Sequence, residues 1–291
     1  MKLKRIFRKL YGELVSPFRK KILIQTVTLS QNELLKGKKA IITGGTSGIG
    51  FAIAKAFLNS GSSVVITGRS EERIQEACKR LSYETGVSDR LYGLQLDNTQ
   101  IGEFEQKVNK AISLLKGSID ILVNNAGLVG GRIGTVTVSE YDSILDTNLK
   151  GTFFLSKIVS QHMISNQIKG NILNIASSSS LRPAISAYTL SKWGMRGLTL
   201  GLAKMLIPYD IVVNGLAPGP TATPMLKKNN DDNYCNIGNP TGRFATADEI
   251  GNMAVILSSG MGRMIVGDII YMTGGAGLIT YDDYNYEYIN K

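Results

Sequence analysis

From Lys39 onward, short runs of apolar and β-branched residues alternate with longer stretches in which apolar positions recur every three or four residues. The runs predict strands over 40–43, 63–67, 91–96, 119–123, 171–175, 211–215 and 268–272. The stretches between them predict helices over 49–59, 71–82, 99–116, 140–166, 186–206 and 246–259. Most of the strand runs are continuously apolar, as befits strands buried on both faces, and a dozen or more residues separate consecutive strands, room for a crossover helix. The pattern therefore predicts an α/β protein with a doubly wound, Rossmann-type, seven-stranded parallel sheet and helices on both faces. Thr246 followed by Glu249 fits a capping box that opens the last helix. No repeat or low-complexity linker interrupts the pattern, so residues 37–280 read as one domain, preceded by an arm, 1–36, and followed by a tyrosine-rich tail, 281–291. Residues 226–243, rich in Asn, Asp and Gly, read as a loop long enough to cover a ligand.

Composition changes the picture in one place. The chain carries 33 Lys and Arg against 23 Asp and Glu, a net charge of +10. Eleven of those bases and only two of the acids fall within residues 1–39, which leaves the remaining 252 residues nearly neutral, 22 bases against 21 acids. That distribution argues against a nucleic-acid partner for the body of the protein. In the arm, Leu3, Ile6, Phe7, Leu10 and Leu14 recur at helical spacing with Lys2, Lys4, Arg5, Arg8 and Lys9 on the other face. Such a helix suits either peripheral contact of residues 1–21 with an anionic membrane or docking on protein. No run of about 18 apolar residues and no signal-peptide core is present, so the expected location is cytoplasmic. Two cysteines, Cys78 and Cys235, make no disulfide framework, and the single histidine, His162, completes neither a metal site nor a nucleophilic triad; no metal is expected.

Candidate chemistry begins with Tyr188 and Lys192 in "YTLSK". Four residues apart on a helix, the phenol and the ammonium project together. A cation about 5 Å from a phenol, at an effective dielectric of about 20, favours the phenolate by roughly 3 kcal/mol, about two pKa units. The spacing thus predicts a tyrosine that exchanges protons near neutrality. Upstream, "AIITGGTSGIG" places Gly44, Gly48 and Gly50 between the first strand and its helix, where glycines admit a pyrophosphate to the helix N-terminus.

Those glycines, with "NNAG" at 124–127, "YTLSK" at 188–192 and "APG" at 217–219, resemble the short-chain dehydrogenase/reductase family, in its single-domain branch. The similarity runs from about Lys38 to Gly277. It implies an oxidoreductase that moves hydride between a nicotinamide and a carbonyl or secondary alcohol carbon. By the same resemblance Tyr188 is the general acid/base and Lys192 its partner, which also holds the nicotinamide ribose. The serine that orients the substrate oxygen falls on Ser177, eleven residues before Tyr188 where about thirteen are usual, and Ser178 remains the alternative. Asn148 matches the asparagine of a proton relay.

For the cofactor, the resemblance assigns Gly44, Ser47, Gly48, Ile49 and Gly50 to the phosphate turn and Asp97 to the adenine. Asn124, Ala126 and Gly127 would lie beside the ribose, with Asn124 equally able to tie strands together. Pro218, Gly219 and Thr223 would cover the nicotinamide. At the end of the second strand, "VVITGRS" puts Gly68 where an acidic residue would bind the ribose of NAD(H), with Arg69 next; this favours NADP(H) over NAD(H). With that cofactor, ketone reduction is the expected direction. A 3-oxoacyl thioester leads the specific substrates, a sugar or polyol follows, and a non-catalytic NADP-binding regulator or scaffold is the reading from another class. The resemblance also implies a homodimer or homotetramer.

Overall fold

The fold was obtained as a computed structural model, which describes residues 33–223, 234, 236 and 238–278. The chain divides into two units, Met1–Ser30 and Gln31–Lys291, and all the described residues belong to the second. The basic helix of the arm, the tyrosine-rich tail and most of the predicted covering loop lie outside the described residues. Among the described residues no helix is long and apolar enough to cross a membrane.

Seven strands alternate with helices: β1 (Lys39–Ile42), α1 (Gly48–Asn59), β2 (Ser63–Gly68), α2 (Glu71–Thr85), β3 (Leu91–Gln95), α3 (Phe104–Leu114), β4 (Ile121–Asn124), α4 (Val138–Leu145), α5 (Gly151–Ser165), β5 (Asn171–Ile175), α6 (Ala187–Leu206), β6 (Val212–Pro218), α7 (Ala247–Ser258) and β7 (Ile269–Met272). The strands form one parallel sheet in the order β3-β2-β1-β4-β5-β6-β7. The order reverses between β1 and β4, and a crevice opens at the carboxyl ends of the strands on either side of such a reversal.

Side chains alternate across each strand, so a single sheet feeds two cores. Ala40 and Ile42 of β1 join Val64, Ile121 and Leu173 in the layer under α1, α2 and α7. Ile41 of the same strand joins Val65, Leu122 and Ile172 in the layer under α3, α5 and α6. This is why the strand runs read as continuously apolar. The capping box expected at Thr246 and Glu249 is formed.

Three details differ from the sequence pattern. The helix expected over 140–166 starts earlier, at Val138 with Thr137 as cap, and is broken by a π turn, Asp146–Lys150, into α4 and α5. Within the turn, Asn148 is bonded to Leu128 of the β4–α4 connection. Strand β6 continues beyond 215 to Pro218, whose missing N–H is harmless at a strand end. And Leu35, within the predicted arm, is fully buried in the α1–α7 layer, its N–H donating to Ser60 O at 2.9 Å. Of the predicted covering loop, Asn239 is packed against the body and donates from Nδ2 to Thr273 O at 3.0 Å.

Helices α1 and α7 approach closely at Gly251. A Cβ on that residue would lie 2.7 Å from Ala52 O, a backbone atom that cannot step aside. Replacing Gly251 by Ala gains about 1 kcal/mol of helix propensity but overpacks the contact by roughly 1–3 kcal/mol. We expect Gly251→Ala to lower Tm by a few degrees in a thermal melt, and an unchanged or higher Tm would show that the two helices separate freely.

Candidate active site

The glycine turn after β1 is built by close approach. Gly44 has φ +63°, and a Cβ there would lie 2.9 Å from Ala126 Cα. At Gly50 a Cβ would collide with Gly44 O and the Asn125 amide. The backbone is therefore bare where it enters α1. Ser47 precedes that helix without capping it through its side chain, whereas Ser70, Ser186 and Thr246 cap α2, α6 and α7. The first-turn amides of α1, with no acidic residue among them, stay available to a phosphate.

Across the crevice, Thr43 fastens the β4 end to the turn. Its hydroxyl donates to Val123 O (3.3 Å) and accepts from the N–H groups of Asn125 (2.9 Å) and Ala126 (3.0 Å). Asn125 Nδ2 in turn donates to Thr43 O and Gly44 O, at 2.8 and 3.0 Å.

These segments open onto one cleft of about 890 Å³ at the carboxyl ends of the strands. Of the residues singled out in the sequence, Gly44, Ser47, Gly48, Ile49, Gly50, Arg69, Asp97, Ala126, Gly127, Ser177, Tyr188, Lys192, Pro218, Gly219 and Thr223 all line it, and so does Ser178. Two do not. Asn124 is buried within the fold, its Nδ2 donating to Ser156 Oγ (3.0 Å) and Asn174 Oδ1 (2.8 Å), which ties β4 to α5 and β5. Asn148 is also fully buried and spends its amide on protein. It accepts from Leu128 N (2.7 Å) and donates to Leu128 O (2.9 Å) and Ser191 Oγ (2.9 Å). Ser191 Oγ donates onward to Tyr188 O at 2.7 Å, so Asn148 bears on Tyr188 through the backbone.

Lys192 is 4% exposed, and its Nζ donates to Ile175 O at 2.7 Å, with no second partner among the described residues. Two of its three protons remain for a ligand. Burial pulls its pKa down to about 8. The ammonium lies 5.7 Å from the centre of the Tyr188 ring. Here the expected electrostatic effect is reversed. Burial raises the Tyr188 pKa above its ordinary value, and the hydrogen bond with Ser177 offsets only part of that rise. A sequence-based charge pairing counts the attraction of the cation but omits the cost of stripping water from a phenolate, and here that cost is larger. Ser177 and Ser178 both line the cleft, and Ser177 is the one whose hydroxyl works against the rise at Tyr188.

Sequence reasoning missed several lining residues. Arg73 follows Arg69 by one helical turn, a spacing that signals a pair. Thr46, Asn98, Leu128 and Arg182 carry no comparable signal. The glycine cradle, the uncapped helix end and the two unspent Lys192 protons fit a dinucleotide with a ribose against Lys192.

The low pKa of Lys192 is a cost to folding. Between about 8 and the free value of 10.5 the unfolded chain holds a proton that the native lysine has released, so stability rises with pH across this window; below about 8 both states are charged and the full cost applies. We expect Lys192→Met to be more stable than the parent at pH 7 by roughly 1–3 kcal/mol, after loss of one hydrogen bond, with the advantage shrinking towards pH 10. Urea unfolding at the two pH values measures this, and a less stable variant at pH 7 would sink the desolvation account.

Comparison with known proteins agrees with the site. The family model described as short chain dehydrogenase matches residues 38–234. A 3-oxoacyl-(acyl-carrier-protein) reductase of Aquifex aeolicus is 33% identical over 252 residues, covering 83% of this chain and 98% of the relative. A gluconate 5-dehydrogenase of Gluconobacter oxydans is 31% identical, covering 83% and 95%. Among solved structures, a 3-ketoacyl-(acyl-carrier-protein) reductase from Brucella melitensis, complexed with NADH, superimposes with a TM-score of 0.75 at 29% identity, covering 84% of this chain and all of that one. The chain belongs to the short-chain dehydrogenase family and is an oxidoreductase, binding a nicotinamide cofactor and acting on CH–OH and C=O groups.

Proposed function

We propose that this protein reduces a ketone with NADP(H), with Ser177 holding the substrate oxygen and Tyr188 protonating it. The observation that carries the reading is that Ser177, Tyr188 and Lys192 line one cleft, with the Lys192 ammonium 5.7 Å from the centre of the Tyr188 ring. When bound, the nicotinamide supplies the hydride. The serine hydroxyl polarises the carbonyl by donating to its oxygen. As negative charge grows there, the phenol gives up its proton, and the Lys192 ammonium stabilises the phenolate left behind. A phenol with a raised pKa stays loaded with its proton at neutral pH, which suits reduction better than oxidation. Asn148 serves as a positioning residue through Ser191, and Gly44, Ser47, Gly48, Ile49 and Gly50 hold the pyrophosphate.

Support for NADP(H) comes from the β2 end. Gly68 stands where a carboxylate would repel a 2′-phosphate, and a Cβ there would come within 2.9 Å of Thr46 Cγ2. Arg69 and Arg73 both line this end of the cleft, and neither guanidinium is in an ion pair among the described residues. Two planar forks beside one site suit a phosphate dianion. Asp97 lies at the same end, its Oδ1 already accepting from Thr99 N and Oγ1, each at 2.9 Å. Among substrates we favour a 3-oxoacyl thioester, then a sugar-derived ketone, on the strength of the two relatives named above. Exposed Phe153 on α5 and exposed Leu190, Trp193 and Leu200 on α6 support self-association as a homodimer or homotetramer.

NADPH and NADH oxidation against 3-oxoacyl thioesters, keto-sugars and simple ketones tests the reading. We expect NADPH to be preferred and Tyr188→Phe to lose at least about 1,000-fold in kcat, with Ser177→Ala losing about 100-fold. Arg69→Gln should raise the KM for NADPH roughly 10-fold and leave that for NADH nearly unchanged. Full activity in Tyr188→Phe would overturn the mechanism; equal use of both cofactors would overturn the arginine assignment.

A further inference from the structure

Charge is unevenly spread around the cleft. Its lining holds four cationic side chains, Arg69, Arg73, Arg182 and Lys192, against one carboxylate, Asp97. Arg69 and Asp97 belong to the turns after β2 and β3, Arg73 to the first turn of α2, and Lys192 is tied to Ile175 O. Arg182 is different. It comes from the connection between β5 and α6, the segment that also supplies Ser177, and it has no part in cofactor binding as proposed above.

The backbone at Arg182 is held on three sides. Its N–H donates to Ser179 O at 3.1 Å, its carbonyl accepts from Trp193 Nε1 at 2.8 Å, and Pro183 follows it, restricting it to the extended conformation it adopts, φ −106° and ψ 154°. Trp193 adjoins Lys192 on α6, so the same indole that anchors Arg182 ties it to the helix that carries Tyr188. Beyond this fixed backbone the guanidinium is exposed and makes no hydrogen bond, ion pair or ring contact among the described residues. A residue of the cleft lining thus carries five N–H donors and a permanent positive charge with no partner among the described residues. A neutral ketone would leave that charge unused, whereas an anion would complete it.

We propose that the substrate carries an anionic group, a carboxylate or a phosphate, away from its carbonyl, and that Arg182 binds it. The inference rests on the ketone-reductase reading and adds the charge of the substrate and the residue that selects for it. The two sources of that chemistry are a keto acid and a thioester whose carrier arm bears phosphate, and paired probes separate them. The full chain, its Arg182→Gln and Arg182→Lys variants and Tyr188→Phe are assayed with NADPH on levulinate against methyl levulinate, and on acetoacetyl coenzyme A against the uncharged acetoacetyl N-acetylcysteamine thioester.

In the wild type we expect kcat/KM for at least one anionic probe to exceed that of its neutral partner by roughly 10- to 100-fold. In Arg182→Gln that ratio should collapse towards one through KM, with kcat held, and Arg182→Lys should keep part of it. The pair that loses its ratio identifies carboxylate or phosphate. No charge preference in the wild type, or a preference that survives in Arg182→Gln with its melting temperature intact, overturns the inference while the ketone-reductase reading stands. Equal turnover by Tyr188→Phe brings down that reading instead. If none of the four probes is turned over, quenching of bound NADPH fluorescence on titration with the same pairs decides: preferential binding of an anion that Arg182→Gln abolishes supports the inference, and indifference to charge overturns it.

Discussion

The site is organised around a buried ammonium. Lys192 Nζ sits against the carbonyl that ends β5, at 2.7 Å, in surroundings that pull its pKa down to about 8. Placing a charge there costs stability, which the hydrogen bond to that carbonyl offsets in part. Asn148, Ser191 and the Tyr188 carbonyl form a chain of hydrogen bonds that fixes the start of α6. The Ser186 side chain caps the same helix. The pair that results is a phenol reluctant to ionise beside an ammonium reluctant to stay charged, and each charged form, phenolate and ammonium, favours the other.

Much of the architecture was legible because a doubly covered sheet leaves a plain mark. Runs such as Val64, Val65 and Ile66 are buried on both faces and could be little else. Glycines at the end of β1 were legible for a different reason: close backbone approach at Gly44 and Gly50 excludes every other side chain. What stayed hidden is tertiary. The apolar period runs on across the π turn at Asp146–Lys150, so nothing local marks the break. The burial of Leu35 depends on the α1–α7 layer closing over it. The direction of the Tyr188 shift depends on how deep the ring lies, which no spacing of residues records.

The cleft residues divide along the same line. Those at strand ends and in glycine turns line the cleft where their motifs place them, whereas Asn124 and Asn148 are polar residues turned inward, spent on Asn174, Ser156, Leu128 and Ser191. From sequence alone a buried asparagine that holds the frame and an exposed one that holds a ligand look identical. Thr43 opens the glycine motif with no role assigned to it from sequence, yet three hydrogen bonds at its hydroxyl join the two strands on either side of the crevice.

The π turn has a consequence for how this chain tolerates change in length. A π turn amounts to one residue more than an α-helix needs, and one residue is about 100° of rotation. The buried positions nonetheless recur every three or four residues across it, from Ile144 through Asn148 and Thr152 to Leu155, Val159 and Met163. Removing one residue here would turn Asn148 by about 100° relative to one of the two flanking helices, and it could not keep its bonds to Leu128 and Ser191 while both helices stayed seated. The bonds that Asn148 makes therefore constrain the length of this segment as well as the identity of one of its residues.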